Sequence, residues 1–211
     1  MSPESTTATQ RDTISLFPLK AVLFPKGRLP LQIFEQRYIG LVTQCLRAGT
    51  GFGVCLLKEG DEVIAPGMHQ QVHRIGTLAS IVDWDQLPSG LLGITVEGQR
   101  KFSVQSCQPN DQQVLIAEVV YCDEDFVGQP PLAVEAEHDV LVGLVEQLVS
   151  HPVISRLGME IAYHDLRELG WRLSELVPLS LDHKQALLAL EDPYVRIREI
   201  ETLLHQMIDE A

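Results

Sequence analysis

Positive charge is what this sequence has least of: 16 Lys and Arg stand against 29 Asp and Glu, a net charge of −13 at pH 7. Binding nucleic acid through its phosphates demands a basic face, so no nucleic-acid partner is expected. The imbalance is uneven, with net −4 over residues 1–128 and net −9 over residues 129–211, as solvated acidic helix faces would give. Cysteine is also sparse. Cys45, Cys55, Cys107 and Cys122 are scattered with no CxxC pair, which argues against a zinc knuckle, a redox dithiol or a disulfide framework. No apolar run approaches the roughly 20 residues of a membrane span. The first ten residues are polar and carry neither a basic nor an apolar leader segment. From these absences a cytoplasmic chain, away from membranes, is expected. Its 211 residues suffice for one domain or two small ones, each with a real core.

What is there is concentrated in residues 14–38. Phe17-Pro18 and Phe24-Pro25 repeat an aromatic–proline step, Pro30 interrupts a third apolar run, and Phe34, Glu35, Arg37 and Tyr38 close the stretch. Proline has no backbone donor and sits at strand starts, edges or bulges. The stretch therefore predicts short extended pieces bent at each Pro and feeding a helix, whose face would be Ile39, Val42 and Leu46 and whose C-cap would be Gly49. Strands are expected at residues 51–57, 75–82, 91–96, 101–104 and 114–121, with an irregular loop at residues 63–71 and turns at Pro88-Ser89-Gly90 and Glu97-Gly98-Gln99. Short strands at such spacing indicate a curled sheet or small barrel.

Beyond residue 128 the vocabulary becomes helical. Pro131 suits a first helical turn. Val140, Leu141, Leu144, Val145 and Leu148 form one stripe, and Ala162, Leu166, Leu169, Leu173 and Leu176 a second. Asp182 with Gln185 has the pattern of a capping box for a third helix. Asp192-Pro193 would start a fourth, with Ile197, Ile200, Leu204 and Ile208 facing inward. The expected organisation is a polar tail over residues 1–12, a β-rich part over 13–125 and a helical part over 129–211.

Four constellations could carry chemistry, and each has a plainer explanation. Ser89 lies in a Pro-Ser-Gly turn without a local base to activate it. His69 and His73 on extended chain would stand roughly 13 Å apart, too far to share a metal. Asp83 and Asp85 flank Trp84 with no partner base in view. Glu35 fits a first helical turn, Arg37 can pair with a carboxylate, and Phe34 and Tyr38 can pack one turn apart. One feature suggests binding: Trp84, Leu87, Leu91 and Leu92 crowd a hairpin whose tip should be polar. An exposed apolar patch there would mark an interaction site; folding back onto the core is the alternative.

The chain resembles the N-terminal substrate-binding domain of Lon proteases. The resemblance rests on Leu16-Phe17-Pro18-Leu19, Val22-Leu23-Phe24-Pro25, Leu29-Pro30-Leu31 and Ile33-Phe34-Glu35 with Arg37-Tyr38, then on Gly76-Thr77-Leu78-Ala79, Val96-Glu97-Gly98 and Ala117-Glu118-Val119. It implies an α+β fold: a PUA-like β pseudo-barrel with one inserted helix, followed by a C-terminal α-helical bundle. It also implies a bacterial, non-catalytic module without cofactor or metal, a member standing apart from ATPase and protease domains. No Gly-x-x-x-x-Gly-Lys-Ser/Thr loop occurs in the sequence. The implied partners are unfolded or extended protein segments, with a protease as a further candidate, in an adaptor or modulator role. Trp84, Leu87, Leu91 and Leu92 are the candidate peptide-binding residues. Two alternatives remain open: RNA binding through Lys26, Arg28, Arg100 and Lys101, and a small molecule in the cleft between the two halves.

Overall fold

The computed structural model describes residues 11–63, 69–122, 125 and 129–209. The first ten residues, Pro66 and Gly67 of the expected loop, and most of the composition shift after residue 122 lie outside them. Seven strands come first: β1 (Arg11–Leu19), β2 (Arg28–Ile33), β3 (Phe52–Glu59), β4 (Gln71–Val72), β5 (Ile75–Gln86), β6 (Leu92–Pro109) and β7 (Leu115–Tyr121), with helix α1 (Gln36–Ala48) inserted after β2. Helices α2 (Asp139–Ser150), α3 (Pro152–Ser155), α4 (Leu166–Leu176), α5 (Leu181–Ala189) and α6 (Pro193–Asp209) follow. The architecture is thus α+β, with a sheet in the first half and helices in the second. Arg11 and Asp12, expected in the polar tail, already belong to β1 and pair with Val120 and Val119.

The strand pairings run β1–β7–β6–β5–β3 and return to β1, while β2 pairs with β6 and β4 with β3. Because β1 is covered on both faces, its end reads as an unbroken buried run, Leu16 to Leu19. Leu16 joins one core cluster with Phe102 and Val119, and Phe17 joins another with Tyr38 and Phe52. The prolines fall where a missing donor costs least. Pro18 lies beyond Leu16, where pairing with β7 ends, and has β3 as its ladder neighbour. Pro30 lies on β2, which among the described residues pairs with β6 alone.

Four local expectations are corrected. The inward face of α1 is Tyr38, Leu41, Val42 and Cys45 rather than Ile39, Val42 and Leu46. The Phe17 and Tyr38 rings stack at 3.9 Å and 13°, and this aromatic contact rotates the helix about its axis and leaves Phe34 outside. Gly49 does cap α1, at φ 64°. Residues 97–99 are not a turn, since β6 continues through them as one 18-residue strand, with a shift of register against β5 between Gly98 and Lys101. A Cβ at Gly98 would overlap the Phe24 carbonyl oxygen, and Lys26 N donates to Gly98 O at 2.8 Å. This glycine marks a close backbone approach. Pro131 starts no helix; the chain stays irregular to a 3-10 turn at Ala136–His138. The α5 cap is Ser180, accepting from His183 N at 3.2 Å, and not Asp182. Asp192 caps α6 as expected, accepting from Tyr194 N at 2.8 Å.

The helical core centres on α4, whose Leu166, Leu169, Trp171 and Leu173 are fully buried, and Phe24 from the β half is buried among them. The two aromatic–proline steps therefore serve different cores, Phe17 the sheet and Phe24 the helices. Polar contacts fasten the halves together. Arg172 Nη2 donates to Pro25 O at 2.5 Å, Gln185 Nε2 to Ile75 O at 3.0 Å, and Arg28 Nη1 to Gly158 O at 2.8 Å. Lys101 of β6 and Arg196 of α6 both bind Asp125 Oδ2, and both also donate to carbonyls at the end of α5, where the helix dipole favours cations.

Candidate functional site

Beyond residue 81, β5 has left β3, whose pairing with it covers only Ala79, Leu78 and Thr77. From there β5, the start of β6 and β2 form a three-stranded ribbon. Its rows are Asp83–Thr95–Pro30, Trp84–Ile94–Leu31 and Asp85–Gly93–Gln32. Side chains alternate between faces, so Trp84 shares the face of buried Ile94 but sits on an outer strand, and it is 62% exposed. At the tip, Leu87 N donates to Leu91 O at 2.9 Å, and Gly90 supplies φ 82°. Leu87 lies over Gly93, where a Cβ would come within 2.9 Å of Leu87 Cδ2. Of the four hairpin residues singled out, Trp84 is exposed and Leu87, Leu91 and Leu92 are half-buried.

Two depressions adjoin across β2 and share Pro30, Leu31 and Gln32. One, of about 280 Å³, is lined also by Trp84, Leu87 and Thr95. The other, of about 210 Å³, is lined also by Phe17, Phe34 and Tyr38. Phe34, 56% exposed, stands at the end of β2, and the Tyr38 ring stacks on Phe17. Phe34 was missed as a surface residue because only the Phe17–Tyr38 stack reveals that Tyr38 turns inward. Among the described residues one edge of β2 has no strand partner, and it could take another extended segment into the sheet, with the two depressions receiving alternate side chains. Asp83 and Asp85 add negative charge beside Trp84, and each accepts from the backbone N–H of the next residue.

The Glu35 and Arg37 cluster has structural partners. Glu35 binds Arg37 Nε at 3.0 Å. Arg37 also donates to Gln113 O and Glu62 O and lies 4.2 Å over the Tyr38 ring, so it ties α1 to two loops. Burial pushes the Tyr38 hydroxyl up, with Arg37 opposing. Ser89 is exposed in its turn. Among the described residues no cluster of His, Cys, Asp or Glu could hold a metal ion, and none of their helices is long and apolar enough to cross a membrane. Two members of the postulated RNA-binding patch are engaged elsewhere. Lys101 is buried against Asp125, and Arg28 binds Glu97 at 2.9 Å as well as carbonyls of the helical half.

Comparison with known proteins is consistent with this geometry. Residues 13–206 match the family of the ATP-dependent protease La (LON) substrate-binding domain. The Lon protease of Haemophilus influenzae is 25% identical over 208 residues, covering 96% of this chain and 25% of that protein. The Lon protease of Cytophaga hutchinsonii is 26% identical, over 90% of this chain and 25% of its own length. The chain thus spans about a quarter of the length of these relatives. Among solved structures, the Lon N-terminal domain protein from Xanthomonas campestris is 31% identical with a TM-score of 0.70, covering 90% of this chain and 98% of that one. The N-terminal domain of Mycobacterium avium complex Lon protease shares the fold at a TM-score of 0.57 and 14% identity. With its family match spanning nearly the whole length, its sheet-then-helices order and its early aromatic–proline segment, this chain belongs to the Lon substrate-binding domain family.

Proposed function

We propose that this chain is a non-catalytic recognition module that binds unfolded or extended protein segments at the ribbon formed by β5, β6 and β2. It would act as an adaptor or modulator that delivers such segments to a protease in the cytoplasm. The observation that carries this reading is the pair of exposed aromatics, Trp84 and Phe34, around a strand edge with no ladder partner among the described residues. An incoming strand would gain main-chain hydrogen bonds from β2 and seat side chains in the depressions lined by Trp84, Leu87 and Phe34; Leu91 and Leu92 shape the hairpin that holds Trp84 outward. Family membership supports a substrate-binding role.

Trp171 is buried and Trp84 exposed, so emission that is quenched by acrylamide reports Trp84. Titration with a reduced, alkylated, permanently unfolded protein should protect that emission from quenching. Trp84→Ala and Phe34→Ala, both at exposed positions, should leave stability within about 0.5 kcal/mol and weaken binding about tenfold or more, as loss of an aromatic anchor does. Unchanged affinity in both variants would remove the ribbon from the reading. The adaptor role is tested by the rate at which a Lon-type protease degrades the same unfolded protein with and without this chain; equal rates reject it.

A further inference from the structure

Val140 on α2 and Ile208 on α6 are the most exposed large apolar side chains among the described residues, at 82% and 71%. Both belong to stripes whose period alone would turn them inward. They flank a groove of about 870 Å³, lined also by Leu141, Leu144, Leu204 and Met207. The helices α2 and α6 each pack on α4, and the groove runs between them. Along it α6 offers positions 201, 204, 205 and 208, and α2 offers 140, 144 and 147. This is helical i, i+3, i+4, i+7 spacing on both walls.

Helix walls present no strand edge. An extended peptide in this groove would leave its backbone groups unpaired, whereas a helix satisfies its own. Charge then selects the helix. The ionisable lining residues are Glu137, Glu201 and His205, with no Lys or Arg among them. Residues 129–211 carry net −9, and three of their six basic side chains, Arg167, Arg172 and Arg196, are buried, so the surrounding surface is more acidic still. A second copy of the chain would bring like charge against like. We propose that the α2–α6 groove docks an amphipathic helix of a partner protein, apolar at i, i+3, i+4 and i+7 and flanked by Lys and Arg. This is a recognition surface separate from the ribbon. The α2 residues that line the groove run from Val140 to Gln147, which at the helical rise spans about 12 Å, enough for about two turns of such a helix.

The probe is a fluorescent peptide of Leu, Ala and Lys in that period, compared with its counterpart carrying Glu for Lys, in anisotropy titrations against the full chain. The Lys peptide should bind, more weakly as salt rises, and the Glu peptide should not. Val140→Asp, at an exposed site, should weaken binding at least tenfold, Glu201→Lys should weaken it several-fold, and Trp84→Ala should leave it unchanged. Absence of binding by the Lys peptide, equal binding of both peptides, or loss of binding in Trp84→Ala with none in Val140→Asp would each overturn the proposal. A chain that sediments as a dimer and becomes monomeric in Val140→Asp would do so too, by making the occupant a second copy.

Discussion

Lys101 Nζ and Arg196 Nη2 converge on a single oxygen, Asp125 Oδ2, at 2.7 and 2.6 Å, joining the longest strand to the last helix. Arg167 Nε stands 3.7 Å from the other carboxylate oxygen. All four side chains are buried, so Lys101 and Arg196 depend on this carboxylate and on the carbonyls at the end of α5, while Arg167 also has the Asp165 carboxylate at 3.6 Å. Burial lowers the proton affinity of Lys101, with Asp125 opposing.

The members of this cluster should not be equivalent. Asp125→Ala leaves the buried Lys101 and Arg196 without a carboxylate partner and should cost about 3–5 kcal/mol, the range for breaking a buried ion pair from one side. Lys101→Met leaves Asp125 bound by Arg196 and exchanges a buried ammonium for an apolar chain of similar size, so it should cost much less. Urea denaturation of the two variants decides this, and equal losses would show that Lys101 and not the shared carboxylate holds the junction.

The aromatics of the early segment should separate by role. Phe24 is fully buried in the helical core, and Phe24→Ala should cost about 3–5 kcal/mol. Phe34→Ala should cost no more than about 0.5 kcal/mol. Thermal or chemical melts of both variants check the contrast, and a stable Phe24→Ala protein would mean that the helical half does not rely on that ring.

Two glycines make opposite predictions. Gly98→Ala drives a methyl into the Phe24 carbonyl and should destabilise by about 1–3 kcal/mol. Gly40, within α1, has nothing within 4 Å of the place a methyl would take, and Gly40→Ala should stabilise by roughly 0.5–1 kcal/mol. Denaturation midpoints of the pair read both signs.

Glu175 should give the fold a pH dependence of its own. Burial holds its carboxyl above the ordinary 4.5, while Arg172 and Lys184 pull it down. A carboxyl that binds its proton more tightly in the folded than in the unfolded state contributes fully below pH 4.5, and the contribution is lost as pH rises through the folded value. The stability of wild type minus that of Glu175→Gln should therefore fall as pH rises from 4.5. A difference that instead grows with pH would show that the Arg172 pairing, at 2.7 Å, outweighs burial.

Much of this was legible locally, because local chemistry dictates it. Gly49 as a left-handed cap, Asp192-Pro193 as a helix start and the run after Gly51 as a buried strand each depend on neighbours a few residues away. The ribbon was only half legible. The excess of apolar residues around Trp84 could be read, but that Trp84 faces outward follows from β5 leaving β3, and Phe34 becomes a surface residue only because Tyr38 is drawn onto Phe17.

By itself the sequence determined the order of sheet then helices, the proline bends that end pairing on one side, the acidic surface and the family. Period, turn chemistry and composition act over a few residues and need no distant contact. Only the tertiary structure decided that Gly98 lies within one continuous strand under Phe24, that Lys101 is buried on Asp125 instead of lying on a basic patch, and that Val140 and Ile208 stand open to solvent. Each of these turns on which surface meets which across long stretches of chain. A helical stripe states that a face is apolar; the neighbours supplied by the fold decide whether that face is covered.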